Sequence, residues 1–315
     1  MSDILIIDPE AEFYRRAVAA QFPDLDVAAA PDPAAAAQAL PEARVLVGLA
    51  PVIARALPAE AATPRLEWVQ ALSAGVDSLH DRPALRGAAL TSCAGIHGPQ
   101  MAEMAILLMM AGPRRLVQMI DNHRAGHWER WKQPILKGRT VCILGLGAIA
   151  ETLVGVCNAL GMRVTGISDG RREMSGVTRI WPRKELLAAA SDADFLVVLV
   201  PLSPETRHIV DAAALDALGP EGWLISMARG GCVDEDALIA ALRERRIAGA
   251  GLDVFATEPL PADSPLRTLP NVVATPHVGG FSTCYHEQAL PVVLRNIADW
   301  QRGGVAALRG RVDRA

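Results

Sequence analysis

The sequence predicts an α/β protein with two doubly wound parallel-sheet domains. Short apolar runs alternate with alanine-rich helical stretches along nearly the whole chain, a pattern typical of parallel sheets covered on both faces. The length of 315 residues, at about 150 residues per domain, predicts roughly two domains. A hydrophobic content of 51% and a charged content of 21% indicate a globular protein and exclude a disordered or fibrous chain.

Five apolar runs predict the strands of the first domain, and two alanine-rich stretches between the first of them predict helices. The expected strands are residues 4–7, 25–28, 45–49, 68–72 and 90–93, and the expected helices are residues 10–21 and 34–40. A second set of alternating units begins after residue 130. Its expected strands are residues 140–144, 163–168, 195–200, 224–227, 250–254 and 272–275.

An apolar helix is predicted between the two sets, at residues 101–110. Gly98-Pro99 opens it, and proline is favoured in the first turn of a helix. The helix is too apolar for a surface position, so we expect it in a core or at a subunit interface.

The composition also limits the partners and the location of the protein. A net charge of −4 without a basic block excludes nucleic acid and an anionic membrane as expected partners. The N-terminus has no basic region of a signal peptide, and the longest apolar run is far short of the roughly 20 residues of a membrane span. Five scattered cysteines form no Cys-x-x-Cys pair. We expect a reduced, cytoplasmic protein.

The turn after strand 140–144 has the pattern G-x-G-x-x-A. Gly145 permits a tight turn, Gly147 lets the backbone approach a pyrophosphate, and an alanine three residues later lets the helix pack close to the strand. The start of the helix, at Ala148 and Ile149, offers unpaired N–H groups to phosphates. Between a strand and a helix, this pattern predicts dinucleotide binding in a Rossmann-type domain.

The end of the next strand is where such a domain binds the ribose of its cofactor. An acid about 20 residues after the glycines binds the 2′-hydroxyl of NAD, whereas arginines accommodate the 2′-phosphate of NADP. Here Ser168 holds the strand end, Asp169 follows it, and Arg171 and Arg172 come next. Two arginines suit a phosphate, although they also fit a solvated surface. NADP(H) is slightly favoured as the cofactor, and NAD(H) is the alternative.

Three polar residues follow the last three expected strands. Arg229, Glu258 and His277 each come two to four residues after one of these strands. Chemistry in open α/β sheets takes place outside the carboxyl ends of the strands. Each residue alone has a structural explanation, as a strand-end cap, a turn residue or a packed histidine. Three of them at neighbouring strand ends favour an active site.

The chemistry of these three side chains is mutually consistent. Reduction of a carbonyl by hydride creates an alkoxide that needs a proton, and histidine is a suitable general acid at neutral pH. A carboxylate such as Glu258 would orient the ring of His277. Arg229 keeps its charge, so it can bind a substrate carboxylate and polarise the adjacent carbonyl.

These stretches resemble the D-isomer-specific 2-hydroxyacid dehydrogenase family over about residues 45–285. The matching segments are Leu144-Gly-Leu-Gly-Ala-Ile-Ala150, Pro201-Leu-Ser-Pro-Glu-Thr206, Ala228-Arg-Gly-Gly-Cys-Val-Asp-Glu-Asp-Ala-Leu238, Gly251-Leu-Asp-Val-Phe-Ala-Thr-Glu-Pro259 and Pro276-His-Val-Gly-Gly280, with Ser73-Ala-Gly-Val-Asp77 and Ala102-Glu-Met-Ala105 upstream. The resemblance implies that Arg229, Glu258 and His277 are the catalytic residues.

The resemblance also implies further contacts. Main-chain N–H groups at Ala74 and Gly75 would bind the substrate carboxylate, which Arg229 also contacts. Asp253 would contact the nicotinamide amide. The cofactor groove would be lined by Pro201, Thr206 and Ala228.

The domain organisation that the resemblance implies is discontinuous. A flavodoxin-like substrate-binding domain would comprise residues 1–97 and 284–315, and a Rossmann-type dinucleotide-binding domain residues 98–283. A terminal helix near residues 288–302 would return to pack on residues 1–97. Members of the family commonly form dimers, so the resemblance, together with the apolar helix 101–110, implies a homodimer.

Three positions depart from the family pattern. Ser226 replaces the usual asparagine three residues before Arg229. Ser168 replaces the usual strand-end aspartate, which puts a preference for NAD in doubt. Phe281 replaces a usual small residue after His277, so its ring is expected to intrude on the substrate pocket.

Other chemistry-bearing residues have structural interpretations. His123 and His127 are spaced by one helical turn, but no third ligand accompanies them, so no metal site is predicted. Cys232 is expected to be inert. His97 is expected either near the substrate or as a hinge residue without chemistry.

The sequence therefore predicts an oxidoreductase that transfers a hydride between NAD(P)H and a small 2-oxo acid or D-2-hydroxy acid, of the glyoxylate, hydroxypyruvate or pyruvate type. The alternative is a dinucleotide-sensing interaction protein on the same fold with little catalysis. A third interpretation has phosphite or formate as the hydride donor. Glu258 argues against formate, because the formate-oxidising relatives lack an acid at this position.

Overall fold

The computed structural model describes residues 2–57, 63–80 and 82–312, and the chain divides into two compact units. The first unit comprises residues 1–96 and 282–315, and the second comprises residues 97–281. The boundaries expected from the sequence lie after residues 97 and 283. Among the described residues, no helix is both long enough and apolar enough to span a membrane.

The first unit contains a five-stranded parallel sheet. Its strands are β1 (Ile4–Ile7), β2 (Val27–Ala30), β3 (Val45–Gly48), β4 (Trp68–Ala71) and β5 (Ala89–Ser92). Their order in the sheet is β2-β1-β3-β4-β5, which is the flavodoxin-like doubly wound order. Every residue of β1, β3 and β4 is buried, as the continuous apolar runs predict for a sheet covered on both faces.

Among the described residues, four α-helices pack around this sheet. They are α1 (Ala11–Gln21), α2 (Pro33–Ala36), α3 (Ala50–Ala56) and, from the far end of the chain, α10 (Tyr285–Gly303). Residues 289, 293 and 297 lie on one face of α10 and pack in the same buried cluster as β1. The Asn296 amide donates to Oε1 of Gln70, at 2.8 Å, which ties α10 to β4.

The second unit contains a seven-stranded parallel sheet. Its strands are β6 (Thr140–Leu144), β7 (Arg163–Ile167), β8 (Arg179–Trp181), β9 (Phe195–Val198), β10 (Trp223–Ser226), β11 (Gly249–Leu252) and β12 (Val272–Ala274). The order is β12-β11-β10-β9-β6-β7-β8. This is the Rossmann order, extended by a seventh strand, and it confirms the predicted fold class.

Six α-helices belong to the second unit. They are α4 (Gly98–Ala111), α5 (Leu116–Arg124), α6 (Ala148–Ala159), α7 (Leu186–Ser191), α8 (Ala212–Leu218) and α9 (Glu235–Arg243). Helix α4 is the predicted apolar helix. Its residues Met101, Ala105 and Leu108 are buried in one cluster with strand β6 and helix α6, so this face of the helix is core.

Two local expectations were wrong, and one strand was not predicted. The strand expected at 25–28 begins two residues later, because Leu25 closes a turn after α1 by donating its N–H to Phe22. The helix expected at 34–40 ends at Ala36 and gives way to a short 3₁₀ turn, Leu40–Glu42, that contains a proline. Strand β8 has no counterpart among the predicted strands, because three residues that include an arginine form no apolar run.

Candidate active site

The glycine turn after β6 has the geometry that a dinucleotide needs. Gly145 has a φ of +104°, and a Cβ atom there would lie 2.9 Å from the backbone nitrogen of Val200, so only glycine fits. A Cβ atom at Gly147 would meet no atom of the described residues within 4 Å, so this side of the turn is open. The turn therefore combines a tight bend with space for a phosphate group.

Helix α6 begins at this open side. Gly147 and Ala148 are exposed, Ile149 is half-buried, and no side chain in the described part of the chain caps the helix. Ala150 is fully buried in the core, as the close packing of helix on strand requires. The first N–H groups of a 12-residue helix thus face open space, which is an anion-binding arrangement that suits a pyrophosphate.

The strand end that would bind the ribose lies after β7. The hydroxyl of Ser168 accepts a hydrogen bond from the backbone N–H of Arg171 at 3.0 Å, which turns the chain back toward α6. The guanidinium of Arg171 then pairs with Glu151 of α6, Nη2 to Oε1 at 2.8 Å. Arg172 is exposed beside it. The two arginines predicted from the sequence therefore stand at the expected strand end.

A third arginine joins this group, and the sequence interpretation missed it. Arg183 donates its backbone N–H to Oδ1 of Asp169 at 2.9 Å, and its Nε lies 3.4 Å from Oδ2 of the same carboxylate. Asp169 is thereby turned toward Arg183. Arg183 was missed because strand β8 was not predicted. Since β8 pairs with β7, the residues that follow β8 lie beside the end of β7.

The loop after β9 was expected to line the cofactor groove. Pro201 is exposed, but Thr206 is only 3% exposed. The hydroxyl of Thr206 donates to the carbonyl of Pro201 at 2.6 Å and accepts from the backbone N–H of Ser203 at 2.7 Å. Thr206 thus shapes the loop from inside.

Arg229 follows β10 and is brought close to the neighbouring strand end by the next residue. A Cβ atom at Gly230 would lie 1.9 Å from the carbonyl carbon of Phe255 and 2.4 Å from the backbone nitrogen of Ala256. Only glycine permits this contact between the two loops. The guanidinium of Arg229 donates to the carbonyl of Ala228 at 2.7 Å.

Glu258 follows β11 and is held from its own loop. One carboxylate oxygen, Oε1, accepts the backbone N–H of Phe255 at 3.0 Å. The bond from Glu258 to Pro259 is cis. The loop is further fixed because the backbone N–H of Ala256 donates to Glu235 of α9 at 2.9 Å. The second carboxylate oxygen remains for another partner.

That partner is His277, which follows β12. Nδ1 of the ring lies 2.7 Å from Oε2 of Glu258. A carboxylate can only accept, so Nδ1 carries the proton and donates it in this bond. The side chain of His277 is 42% exposed and that of Glu258 is 36% exposed, so the pair is reachable from solvent. The three residues follow the adjacent strands β10, β11 and β12, as predicted.

Asp253 holds the loop that carries His277. Its carboxylate is 1% exposed and accepts three hydrogen bonds: from the hydroxyl of Thr275 at 2.6 Å, from the N–H of Val278 at 3.0 Å, and from the N–H of Gly279 at 2.8 Å. His277 itself has a φ of +53°, a conformation that persists only where its surroundings fix it. Both oxygens of Asp253 are thus engaged by this loop.

His97 packs against the same loop from the start of α4. Its ring is 8% exposed, and its Cδ2 would lie 3.3 Å from a Cβ atom at Gly280. Burial lowers the pKa of His97, and the positive charge of Arg229 lowers the pKa further. The lowered pKa favours the neutral form of this ring, which lies beside the loop that follows His277.

The loop expected to bind the substrate carboxylate belongs to the first unit and follows β4. Ala74 is exposed and Gly75 is half-buried. Within the described part of the chain, their backbone N–H groups have no hydrogen-bond acceptor. The hydroxyl of Ser73 donates to the carbonyl of Gly75 at 2.7 Å, which folds the loop back on itself. Two adjacent unpaired donors are what a carboxylate requires.

The remaining expectations concern residues set aside from the chemistry. Helix α5 ends at Arg124, so His127 lies beyond it and shares no helical face with His123; the helical spacing was wrong. Within residues 2–57, 63–80 and 82–312, no group of three or more metal-binding side chains is found. Cys232 is fully buried, and burial raises the pKa of its thiol. Among the described residues, the buried hydroxyl of Ser226 has no hydrogen-bond partner, and Phe281 is 61% exposed.

The comparisons with known proteins identify the family of the chain. Residues 106–279, more than half of the chain, match the family model described as "D-isomer specific 2-hydroxyacid dehydrogenase, NAD binding domain". The chain belongs to the D-isomer specific 2-hydroxyacid dehydrogenase family.

Individual relatives extend the match to both units. The chain is 34% identical over 224 residues to a glyoxylate/hydroxypyruvate reductase B of Pectobacterium carotovorum, which covers 69% of this chain and 70% of the relative. A crystal structure of a family protein from Aeromonas salmonicida superposes with a TM-score of 0.88 and 31% identity, over 100% of this chain and 99% of the other.

A further solved structure is that of an NADPH-dependent glyoxylate/hydroxypyruvate reductase from Sinorhizobium meliloti, in complex with NADP and sulfate. Its TM-score is 0.80 at 27% identity, and it covers 100% of this chain and 99% of its own. Both the fold and the family of this chain are thereby established.

Proposed function

We propose that this protein is an NAD(P)H-dependent reductase that transfers a hydride to the carbonyl carbon of small 2-oxo acids and yields D-2-hydroxy acids. The observation that carries this proposal is the hydrogen bond between His277 and Glu258, at strand ends next to that of Arg229. The relatives named glyoxylate/hydroxypyruvate reductase support substrates of the glyoxylate and hydroxypyruvate type, with pyruvate as a further candidate.

His277 is the proton donor in this proposal. Because Nδ1 is occupied by Glu258, Nε2 is the ring atom that faces a substrate oxygen. A bound nicotinamide would supply the hydride. The carbonyl oxygen, which becomes negatively charged, then accepts the proton of Nε2. Glu258 fixes the ring and compensates its positive charge before the proton leaves.

Arg229 and the loop at Ala74 and Gly75 bind the substrate carboxylate in this proposal. A guanidinium stays charged at all relevant pH values and presents its N–H groups in a planar fork. It can bind one carboxylate oxygen and polarise the adjacent carbonyl, which lowers the barrier to hydride attack. The two backbone N–H groups supply further donors without adding charge.

The cofactor that fits this chain best is NADPH, with NADH as the alternative. An aspartate at a strand end would repel a 2′-phosphate, whereas Ser168 brings no charge there. Arg171, Arg172 and Arg183 lie around this strand end and can pair with the phosphate. Gly145, the open Gly147 and the start of α6 fit the pyrophosphate. The NADP-bound relative supports the same choice.

Steady-state kinetics with glyoxylate, hydroxypyruvate and pyruvate tests the function, with NADPH and NADH in parallel and absorbance at 340 nm as the readout. We expect turnover with at least one of the three acids and a lower KM for NADPH than for NADH. Tight cofactor binding without oxidation by any 2-oxo acid favours the dinucleotide-sensing alternative. A strong preference for NADH argues against the assigned roles of Arg171 and Arg172.

We also propose that the protein is a homodimer and works in the cytoplasm. Helix α5 has no buried residue, although Leu116, Val117 and Ile120 lie on it, and Ile135 and Trp128 follow it exposed. This segment borders a cleft of about 1010 Å³ in the second unit. A second copy, with the same helix and cleft, can cover both surfaces at once. Free thiols at all five cysteines suit a reducing compartment.

Light scattering tests the dimer. We expect the wild-type protein to have twice the monomer mass of 33.4 kDa. When Val117 and Ile120 are both replaced by aspartate, we expect the mass to shift toward that of the monomer. A wild-type protein that remains at 33.4 kDa at micromolar concentration rules the dimer out.

A further inference from the structure

The loop that presents Ala74 and Gly75 begins at a buried strand end. Leu72 is fully buried, and its N–H still continues the sheet by donating to the carbonyl of Gly48 at 2.8 Å. The next residue, Ser73, leaves the sheet. The direction in which the loop points is therefore decided at the peptide unit that joins Leu72 to Ser73.

The carbonyl of Leu72 is held from outside the sheet. The hydroxyl of Tyr285, the first residue of α10, donates to it at 2.6 Å. Tyr285 is distant in sequence by 213 positions, so this bond joins the far end of the chain to the start of the loop. Tyr285 is half-buried among the apolar residues of the first unit, and this burial raises the pKa of its hydroxyl, which keeps it a donor.

The other bonds of the loop complete a rigid frame. The carbonyl of Ser73 accepts the N–H of Cys93 at 3.2 Å, and the hydroxyl of Ser73 accepts the N–H of Ala50 at 3.2 Å. The carbonyl of Gly75 accepts from that same hydroxyl at 2.7 Å. The carbonyls of residues 72, 73 and 75 are therefore engaged, and the N–H groups of Ala74 and Gly75 are the ones that stay available for a ligand.

We propose that Tyr285 is a positioning residue for substrate binding: its hydroxyl fixes the Leu72 carbonyl and thereby aims the N–H groups of Ala74 and Gly75 at the substrate carboxylate. The inference rests on the proposed function, because it uses the carboxylate of a 2-oxo acid as the ligand of this loop. It assigns a role in substrate affinity to a side chain that contacts the loop from behind.

The chain provides a matched control, because it has two tyrosines. Tyr14 is 1% exposed and lies in the same apolar cluster as the ring of Tyr285. Within the described residues, its hydroxyl has no hydrogen-bond partner. Tyr14→Phe and Tyr285→Phe therefore remove the same atom from the same cluster, but only the second substitution releases the loop.

The experiment measures kcat, KM for glyoxylate, KM for NADPH and the dissociation constant of oxamate, a non-reducible carboxylate, in the presence of NADPH. For Tyr285→Phe we expect KM for glyoxylate and the oxamate constant to rise about three- to tenfold, as the loss of one hydrogen bond predicts. The values of kcat and of KM for NADPH stay within about twofold, and Tyr14→Phe leaves all four values unchanged.

Two results overturn the inference. One is an oxamate constant and a KM for glyoxylate that match the wild type. The other is a parallel loss in kcat, in both KM values and in thermal stability, which indicates a general structural role. A failure of the proposed function is distinguishable, because it shows in the wild-type protein. If the wild-type protein binds oxamate but shows no turnover, only the proposed catalytic role is refuted. If it shows neither turnover nor oxamate binding, the proposed function and this inference are both refuted.

Discussion

The ring of His277 and the carboxylate of Glu258 are joined by a 2.7 Å hydrogen bond across two loops, although they are 19 positions apart in the sequence. The carboxylate is itself anchored, since its other oxygen accepts the N–H of Phe255. The imidazole is thus held from one side by Glu258, while its loop is held from the other side by Asp253. Neither of these contacts involves Nε2, so this ring atom remains available to donate a proton.

Replacing Glu258 by glutamine is expected to lower kcat for glyoxylate about a hundredfold, because the amide no longer compensates the charge of a protonated ring. The KM for NADPH should stay close to the wild-type value. Glu103→Gln, at an exposed position on α4, is the control and should retain full activity. Turnover of Glu258→Gln within about threefold of wild type goes against the role of this carboxylate.

Replacing Gly230 by alanine is expected to reduce both stability and activity, because the new methyl group would collide with the backbone of Phe255. Thermal unfolding and kcat measure the two effects. Gly155→Ala on helix α6 is the matched control: a Cβ atom there meets nothing within 4 Å, and a helical glycine is destabilising by roughly 0.5–1 kcal/mol relative to alanine. A stable and active Gly230→Ala protein contradicts the close approach of the two loops.

Replacing Arg171 by alanine is expected to raise KM for NADPH about tenfold and to leave KM for NADH within about twofold, because only NADPH offers a phosphate to this arginine. Glu151→Gln should have the opposite effect on NADPH, since it releases Arg171 from its ion pair. Arg86→Ala, at an exposed position of the first unit, serves as the control. Equal changes for both cofactors speak against a phosphate contact.

His97 is expected to make the stability of the fold depend on pH. Its pKa is lowered in the folded protein, by burial first and by Arg229 second, so the unfolded chain binds the proton more readily. Its contribution to the free energy of unfolding is therefore fully present above about pH 6.5, the ordinary value of histidine, and declines as the pH falls below it.

Urea unfolding at pH 7.5 and pH 5.5 checks this dependence. The loss of stability between the two values should be smaller in His97→Gln than in the wild type. In His80→Gln, where the histidine is exposed, the loss should match the wild type. Identical losses in the wild type and in His97→Gln mean that His97 does not titrate abnormally.

The sequence contained enough information for the two sheets, the glycine turn and the three strand-end residues, because each of these depends on local patterns. Apolar runs mark buried strands, and the carboxyl ends of neighbouring strands meet at one edge. Strand β8 was missed because it is short and carries Arg179 at its edge. The approach of Arg183 to Asp169 depends on that strand, so it was missed as well.

Other features arise from contacts that no spacing reveals. The three hydrogen bonds of Asp253 require the exact fold of the loop after β12, and the bond from Tyr285 to Leu72 requires the return of α10 to the first sheet. Such tertiary contacts become visible only in the folded chain. The end of α5 before His127 is different, because Gly126, with a φ of +73°, is a local signal in the sequence that the spacing of His123 and His127 obscured.

The role of His277 as proton donor is tested most directly by single-turnover reduction of glyoxylate with bound NADPH. The measurement compares the wild type with His277→Ala. We expect the rate of NADPH oxidation to fall about a thousandfold in the variant, while the dissociation constant of NADPH is unchanged. A variant that oxidises NADPH at nearly the wild-type rate shows that the proton comes from another group, and the role proposed for His277 is then wrong.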